Sequence, residues 1–163
     1  MGTRCGELDP GVMLYLLREC GIDSDRIEEL LYHESGLLGV SGVSSDMREL
    51  LGSTDPHAAE AIDLFVYRVA LELGALTATI GGLDALVFTA GIGEHGPEIR
   101  RRICGMSRWL GIVIDPKAND RGDEQISAAE SRVAVWVLPT DEEWTIVRQT
   151  IVRLGGGMPA PRL

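Results

Sequence analysis

The segment at residues 84–100 places the strongest constraint on how this chain can fold. Residues 86–89 form a short apolar run of β-forming residues with glycines before and after it, which is typical of a buried strand. Pro97 follows where a first helical turn would begin, with Glu98 and three arginines behind it. The sequence therefore predicts a unit of strand, glycine turn and helix.

Gly91 and Gly93 lie in this predicted turn and have no Cβ atom that would keep the backbone away from a ligand. The helix behind the turn would offer free N–H groups and the positive end of its dipole to an anion. Together these features predict a nucleotide or phosphate loop at residues 91–95. A lone Gly-x-Gly pattern is weak, however, and on this pattern alone an ordinary strand-to-helix turn is the better interpretation.

The net charge of the chain limits its partners. With 163 residues, of which 45% are hydrophobic, we expect one folded domain with a substantial core. A formal net charge of −10 argues against nucleic acid as a partner and against non-specific attraction of phosphate. Any phosphate site must therefore be built locally, from backbone N–H groups, an arginine or a metal ion.

The cysteines indicate a reducing compartment. Cys5, Cys20 and Cys104 are odd in number and widely spaced, which argues against a disulfide framework or a zinc site and favours the cytoplasm. No apolar block of a signal peptide opens the chain. Glycines and Asp84 interrupt the most apolar stretch, residues 73–93, so we expect no membrane span.

Helical and extended patterns alternate along the chain, which predicts an α/β fold. Helices are expected over residues 11–20, 25–33, 56–80, 97–107 and 141–154, and strands over residues 85–89, 109–114 and 133–138. Residues 34–42 are expected to form a turn with a short extended piece, and residues 115–130 an irregular surface segment.

The helix at residues 56–80 is predicted to be the central core helix, because apolar residues recur at helical spacing from Ile62 to Ile80. Asp55 would cap it and a proline would occupy its first position. Arg68 and Glu72 would form an i,i+4 ion pair on its surface.

Two further polar segments each have two interpretations. Asp46 and Arg48 could grip a ligand such as a nucleoside, although a helix cap at Ser45 or Asp46 with Arg48 in solvent explains them more simply. The acids at residues 141–143 follow a predicted strand, as residues 91–95 do, so both segments would face one crevice at the carboxyl ends of the strands. A carboxylate there could hold Mg²⁺, although acids at a helix start also complement the helix dipole.

Five segments of this sequence, in order, resemble those of the acetate kinases. They are Gly2-Thr3-Arg4-Cys5-Gly6 with Asp9-Pro10, Ser35-Gly36-Leu37-Leu38-Gly39, Ser44-Ser45-Asp46-Met47-Arg48, Thr89-Ala90-Gly91-Ile92-Gly93-Glu94 and Pro139-Thr140-Asp141-Glu142-Glu143. The resemblance covers nearly the whole chain but only the C-terminal part of such a kinase. It implies a ribonuclease H-like, actin-like ATPase fold (the ASKHA superfamily), with a mixed sheet flanked by helices.

The resemblance also implies roles for individual residues. By position, Arg4 would stabilise charge on the transferring phosphoryl group, and Glu142 would be the Mg²⁺-associated glutamate. The adenosine of ATP or ADP would lie against Asp46, Met47 and Arg48. The second nucleotide loop would consist of Gly91, Ile92, Gly93, Glu94 and His95. Two positions depart from the family pattern: His95 stands where asparagine is usual, and Cys5 stands where serine is more common.

The resemblance further implies the following organisation and activity. Residues 1–163 would be the C-terminal nucleotide-binding domain of a cytoplasmic acetate kinase, with residues 155–163 as a flexible tail and the N-terminal domain absent. The family reaction is Mg²⁺-dependent phosphoryl transfer between ATP and acetate, giving acetyl phosphate and ADP, and we expect little or no activity from this chain alone. The alternatives are a propionate or butyrate kinase, or a non-catalytic dimerisation or nucleotide-binding module. A homodimer is expected, with no nucleic acid or membrane partner.

Overall fold

The computed structural model describes residues 2–140 and 142–155, which fold as helices around a small sheet. Along the chain these elements are α1 (Pro10–Arg18), α2 (Ser24–His33), α3 (Gly36–Ser41), α4 (Met47–Gly52), α5 (Pro56–Ile80), β1 (Ala85–Phe88), α6 (Ala90–His95), α7 (Pro97–Met106), a 3-10 turn (Arg108–Leu110), α8 (Pro116–Arg121), β2 (Ala134–Val137) and α9 (Glu142–Arg153). The α/β class predicted from the sequence is confirmed. Residues 156–163 of the expected tail lie outside the described residues.

The strands β1 and β2 pair in parallel, with Ala85 opposite Ala134 and Phe88 opposite Val137. The ladder continues beyond β2, where the N–H of Leu138 donates to the carbonyl of Phe88 at 2.9 Å. The prediction of a buried strand holds only in part for β1, since Phe88 is buried and Leu86 packs against the core but Val87 is 45% exposed. In the part of the chain that the structure describes, β1 has a single neighbouring strand. Parallel pairing places the carboxyl ends of both strands at one edge of the sheet.

The long helix α5 begins and ends where the sequence predicts. The Asp55 side chain accepts a hydrogen bond from the N–H of His57, Pro56 occupies the first turn, and Gly81 ends the helix in the left-handed conformation with φ of 78°. Its N-terminal half forms much of the core, through Ala58, Ala61, Ile62, Phe65 and Val66.

The C-terminal half of α5 is only partly covered by the described residues. Val69 and Leu73 pack against the core, as the sequence predicts. Leu76 and Ile80, in contrast, are 55% and 69% exposed, so the prediction that these two residues face the core is wrong. The ion pair predicted between Arg68 and Glu72 is also not the one formed. Arg68 instead donates to the Glu7 carboxylate at 2.6 Å, because the N-terminal segment lies across this face of the helix.

Two other segments differ from the sequence-based expectation. The turn predicted at residues 34–42 is the short helix α3, whose Leu37 and Ser41 are buried. Six residues are too few to show a helical period, and the glycines at both ends, Gly36 and Gly42, adopt positive φ angles of 64° and 63°.

The predicted edge strand at residues 109–114 is also wrong. Its first residues form the 3-10 turn that ends at Gly111, with φ of 88°, and only Ile114 makes an isolated bridge, to Ser127. Within the segment predicted to be irregular, Asp115 caps α8 by accepting from the N–H groups of Lys117 and Ala118. A proline in the first turn and this cap are helix-start signals that a polar composition obscured.

A buried arginine joins three of the helices. Arg100 on α7 is 1% exposed, and its guanidinium donates to the side-chain and backbone oxygens of Asn119 on α8, at 2.8 and 2.7 Å. It also donates to the carbonyls of Gly93 and Glu94 on α6, at 2.8 and 2.7 Å. Burial lowers the pKa of Arg100 from its ordinary value. These hydrogen bonds satisfy a charge that would otherwise be costly to bury.

Replacement of Arg100 by methionine is expected to lower the free energy of unfolding by about 2–4 kcal/mol, because two buried oxygens of Asn119 and two partly buried carbonyls lose their donor. Urea denaturation followed by circular dichroism measures the change. The matched control is Arg101→Met, which removes exposed ion pairs to Glu98 and Asp120 and should cost less than about 1 kcal/mol. Equal effects of the two substitutions would contradict this interpretation of Arg100.

The three cysteines are free thiols that differ in accessibility, which gives a second prediction. Cys5 and Cys20 are exposed, whereas Cys104 is 2% exposed, and burial raises its pKa to about 12. Because the thiolate is the reactive form, a colorimetric thiol reagent at pH 8 should titrate two cysteines rapidly in the folded protein and the third only after unfolding. Cys104→Ala should leave the rapid phase unchanged, and rapid reaction of all three thiols would disprove the burial of Cys104.

Candidate functional site

A cavity of about 610 Å³ lies between the start of α4 and the helix α6. Its lining consists of Ser45, Asp46, Met47, Arg48 and Leu51 on one side and Gly91, Ile92, His95 and Gly96 on the other. Six of these residues were predicted to contact nucleotide, in two segments that are distant in the sequence. The structure therefore places the two predicted segments on facing walls of one cavity.

Asp46 is the N-cap of α4, and its carboxylate also binds Arg48. One oxygen accepts from the Arg48 backbone N–H at 2.8 Å, and the other accepts from the Arg48 guanidinium at 2.6 Å. The arginine lowers the pKa of Asp46 to about 2, first through the side-chain hydrogen bond, so the carboxylate is ionised near neutral pH. The capping interpretation of this segment is confirmed.

The same geometry leaves Arg48 available to a ligand. Its side chain is 86% exposed, so most of the guanidinium donors face solvent at the mouth of the cavity. Met47, in contrast, is buried, and it can contribute only backbone and part of a side chain to the lining. The wall from α4 therefore combines a cation, an ionised carboxylate and an apolar floor.

The opposite wall is a helix, not the glycine turn that the sequence predicts. Residues 90–95 form α6, and the backbone adopts a positive φ, 58°, at Ala90 instead of at either glycine. The glycines serve other purposes. A Cβ atom at Gly93 would lie 3.3 Å from the carbonyl carbon of Phe88, whereas one at Gly91 would meet no atom within 4 Å. Gly93 thus permits close packing on β1, and Gly91 leaves open space in the cavity wall.

Glu94 points away from the cavity and does not line it. Its carboxylate accepts hydrogen bonds from the backbone N–H and the hydroxyl of Thr140, at 3.0 and 3.2 Å. The Thr140 N–H lowers the pKa of Glu94 from its ordinary value. Glu94 after β1 and Thr140 after β2 therefore meet at one edge of the sheet, whereas the acids predicted to face this edge, residues 141–143, have side chains outside the described residues.

Arg4 lies in a different place from these residues. It lines a second cavity of about 610 Å³ between the N-terminal segment, α3 and α5, together with Glu7 and Arg68. Its guanidinium lies 5.3 Å from the centre of the Tyr32 ring, which is a cation–π distance. Among the described residues no carboxylate lies within ion-pair distance of Arg4. The structure does not bring Arg4 into the lining of the cavity that contains Asp46.

The predicted metal residue, Glu142, is the first residue of α9 and lies two positions after Thr140, which binds Glu94. The side chains of Glu142 and Glu143, and all of Asp141, lie outside the described residues. In residues 2–140 and the described part of α9, no three His, Cys, Asp or Glu side chains are grouped as a metal site. No helix in the described part of the chain is both long and apolar enough to cross a membrane.

Sequence reasoning missed four residues of this region. Ser45, Leu51 and Gly96 line the cavity, and Thr140 holds the Glu94 side chain. Thr140 could have been found from its position directly after a predicted strand and next to an acidic cluster. Ser45 and Gly96 carry no comparable signal, because their placement depends on how α4 and α6 pack.

Comparisons with known proteins agree on one family. The sequence model of the acetokinase family matches residues 1–148. The chain is 62% identical to an acetate kinase of Rhodopseudomonas palustris over 159 residues, which are 96% of this chain and 40% of that kinase. It is 56% identical to an acetate kinase of Rhizobium meliloti over 146 residues, 90% of this chain and 37% of that protein.

Solved structures give the same result. The acetate kinase of Porphyromonas gingivalis superposes with a TM-score of 0.83 at 42% identity, over 94% of this chain and 40% of that chain. A propionate kinase of Francisella tularensis superposes with the same TM-score at 37% identity, over 90% of this chain and 38% of the other. The chain spans about 40% of the length of the relatives it matches. On the extent of these matches, the chain belongs to the acetokinase family.

Proposed function

We propose that this chain is the nucleotide-binding part of a kinase that transfers a phosphoryl group between ATP and acetate, giving acetyl phosphate and ADP. The observation that carries the proposal is the cavity that joins residues 45–48 with residues 91–96. Its volume suits a nucleotide, since small-molecule sites commonly occupy a few hundred Å³. The reaction is inferred from the names of the relatives, and the cavity offers space for the nucleotide.

The lining residues contribute to nucleotide binding in different ways. Arg48 presents exposed donors held in place by Asp46, and a planar guanidinium of this kind can lie against a base or donate to ribose and phosphate oxygens. Gly91 leaves space for close approach to the backbone, and His95 adds a ring nitrogen that can donate a hydrogen bond. The chain therefore binds and orients the nucleotide, which is the main task in phosphoryl transfer.

Arg4 is proposed to stabilise the negative charge that spreads over the transferring phosphoryl group. Its support is chemical: the guanidinium is exposed, rests on the Tyr32 ring and has no carboxylate partner among the described residues. Arg4 lines the second cavity, so this role requires the reacting phosphate to lie on the α3–α5 side of the molecule. The acetate site and the remaining catalytic groups are proposed to belong to parts of the kinase outside these 163 residues.

Glu142 is proposed to hold Mg²⁺ on the nucleotide. Mg²⁺ commonly uses one or two carboxylates together with water and substrate phosphates, so a single glutamate at the start of α9 is chemically sufficient. Glu94 is less suitable, because its carboxylate is already bound to Thr140. The ion would neutralise charge on the phosphates when bound. Three free thiols favour a cytoplasmic protein.

Two alternatives have specific support. The Francisella tularensis propionate kinase superposes with the same TM-score, 0.83, as the Porphyromonas gingivalis acetate kinase, so the acyl group could be propionate. A non-catalytic association module, including a homodimer, is favoured by α1, which has no buried side chain, and by the exposed C-terminal half of α5. Light scattering with and without ADP separates the latter: a stable dimer that does not bind ADP would support it.

The proposed nucleotide site can be tested by calorimetric titration of the 163-residue chain with Mg-ADP. Binding by the parent chain is expected, and Arg48→Ala should weaken it about tenfold or more, because exposed charge-assisted donors are lost from the cavity mouth. The matched control is Arg18→Ala, which removes an equal charge from the last turn of α1.

The outcomes separate the site from general charge effects. Unchanged affinity in the Arg18 variant assigns the loss to the cavity. Equal weakening in both variants would show that only net charge matters and would contradict the site. No binding by a parent chain that still unfolds cooperatively would show that this part does not bind nucleotide alone.

A further inference from the structure

The contact between Glu94 and Thr140, which we call the Glu94–Thr140 latch, has a function that the proposed nucleotide site does not by itself explain. Glu94 lies within the segment expected to bind ATP, yet its neighbours Ile92 and His95 line the cavity and it does not. Its side chain is half-buried and turned toward the segment that follows β2. The carboxylate therefore faces protein where the sequence pattern predicts a ligand.

The latch consists of two hydrogen bonds that one oxygen of Glu94 accepts. Glu94 Oε1 accepts from the Thr140 backbone N–H at 3.0 Å and from the Thr140 hydroxyl at 3.2 Å. Thr140 lies beyond the end of β2, where the last ladder bond, from Leu138 to Phe88, has already been made. Beyond that point Glu94 supplies a side-chain acceptor for the Thr140 N–H.

The backbone of Glu94 is held from the other side. The carbonyls of Gly93 and Glu94 both accept from the buried Arg100 guanidinium, at 2.8 and 2.7 Å. The helix α6 is thus fixed at its last turn by α7 and, through the Glu94 side chain, by the segment after β2. A six-residue helix has little stability of its own, so these two attachments determine its position.

We propose that Glu94 is a positioning residue, which holds the α6 wall of the nucleotide cavity against Thr140 after β2 and does not itself contact the nucleotide. This proposal rests on the proposed nucleotide function. In this role Glu94 positions Gly91, Ile92 and His95. Thr140 then affects nucleotide affinity, although it lies outside the cavity.

The two possible roles of Glu94 predict opposite changes in Mg-ADP affinity when its carboxylate is removed. A carboxylate close to the phosphates of ADP would repel them, so its removal should strengthen binding. A latch that shapes the cavity should weaken binding when it is removed. Glu94→Ala is therefore expected to weaken Mg-ADP binding about fivefold, the equivalent of one net hydrogen bond.

Conservative variants separate the hydrogen bond from the charge. Glu94→Gln keeps an acceptor oxygen and should bind Mg-ADP within about twofold of the parent. Thr140→Val keeps the backbone N–H but loses the hydroxyl, and it should weaken binding about twofold. Because both substitutions act on one contact, the double variant Glu94→Ala with Thr140→Val should be no weaker than Glu94→Ala alone.

Two further measurements complete the test. Hydrogen exchange of the Thr140 amide, without nucleotide, should be slow in the parent and in Glu94→Gln and fast in Glu94→Ala. The matched control is Glu98→Ala, which removes a carboxylate of similar exposure that binds Arg101 and Arg102, and it should change neither the Thr140 exchange nor the affinity.

The proposal is overturned if Glu94→Ala binds Mg-ADP as tightly as the parent or more tightly, or if Glu94→Gln loses as much affinity as Glu94→Ala. Additive effects in the double variant would also overturn it. If the parent chain does not bind Mg-ADP, the proposed function fails. The latch proposal is then tested by hydrogen exchange of the Thr140 amide alone. Equal exchange rates in the parent and in Glu94→Ala would overturn the proposal.

Discussion

The buried guanidinium of Arg100 is the interaction on which the arrangement around the candidate site depends. A charge in the core is tolerated only when its donors are satisfied, and here Asn119 and the carbonyls of Gly93 and Glu94 satisfy them. These acceptors belong to α6 and α8, so the need to bind one side chain of α7 fixes the positions of three helices. The hydrophobic core alone would leave α6 poorly placed, because α6 has no buried residue of its own.

The parallel pairing of β1 and β2 is the second constraint. It brings the segments after both strands to one edge, where Glu94 meets Thr140. The α4 wall of the cavity is built differently, by a helix cap: Asp46 ends an extended segment, starts α4 and holds Arg48 at the cavity mouth. A cap of this kind stabilises the helix and orients a cation at the same time, so the stability of α4 and the placement of Arg48 depend on the same residue.

The membership of the acetokinase family and the exposed surfaces are consistent with each other. The relatives are about two and a half times as long as this chain, because the chain covers 40% of their length. The uncovered apolar residues of α1 and of the end of α5, and a strand β1 with one neighbour among the described residues, are surfaces of the kind that further polypeptide covers. The candidate cavity, in contrast, has described residues of this chain on both of its walls.

Much of the structure was determined by the sequence through short-range interactions. Helix α5 from Asp55 to Gly81, the start of α7 at Pro97 and the Asp46 cap all depend on residues within one or two turns, and their bounds or caps agree with the prediction. The motif at residues 44–48 and the one at residues 89–94 likewise identified the family. The prediction was wrong where the local signal was short or obscured by polar residues, as in α3 and α8.

Only the tertiary structure decided which remote residues meet. It placed Asp46 and Arg48 opposite Gly91 and His95, turned Glu94 to Thr140 and left Arg4 in another cavity. It also placed the positive φ angle of this segment at Ala90 and not at Gly91 or Gly93. The physical reason is that these contacts depend on strand register and on the satisfaction of the buried Arg100, which couple segments that have no local pattern in common.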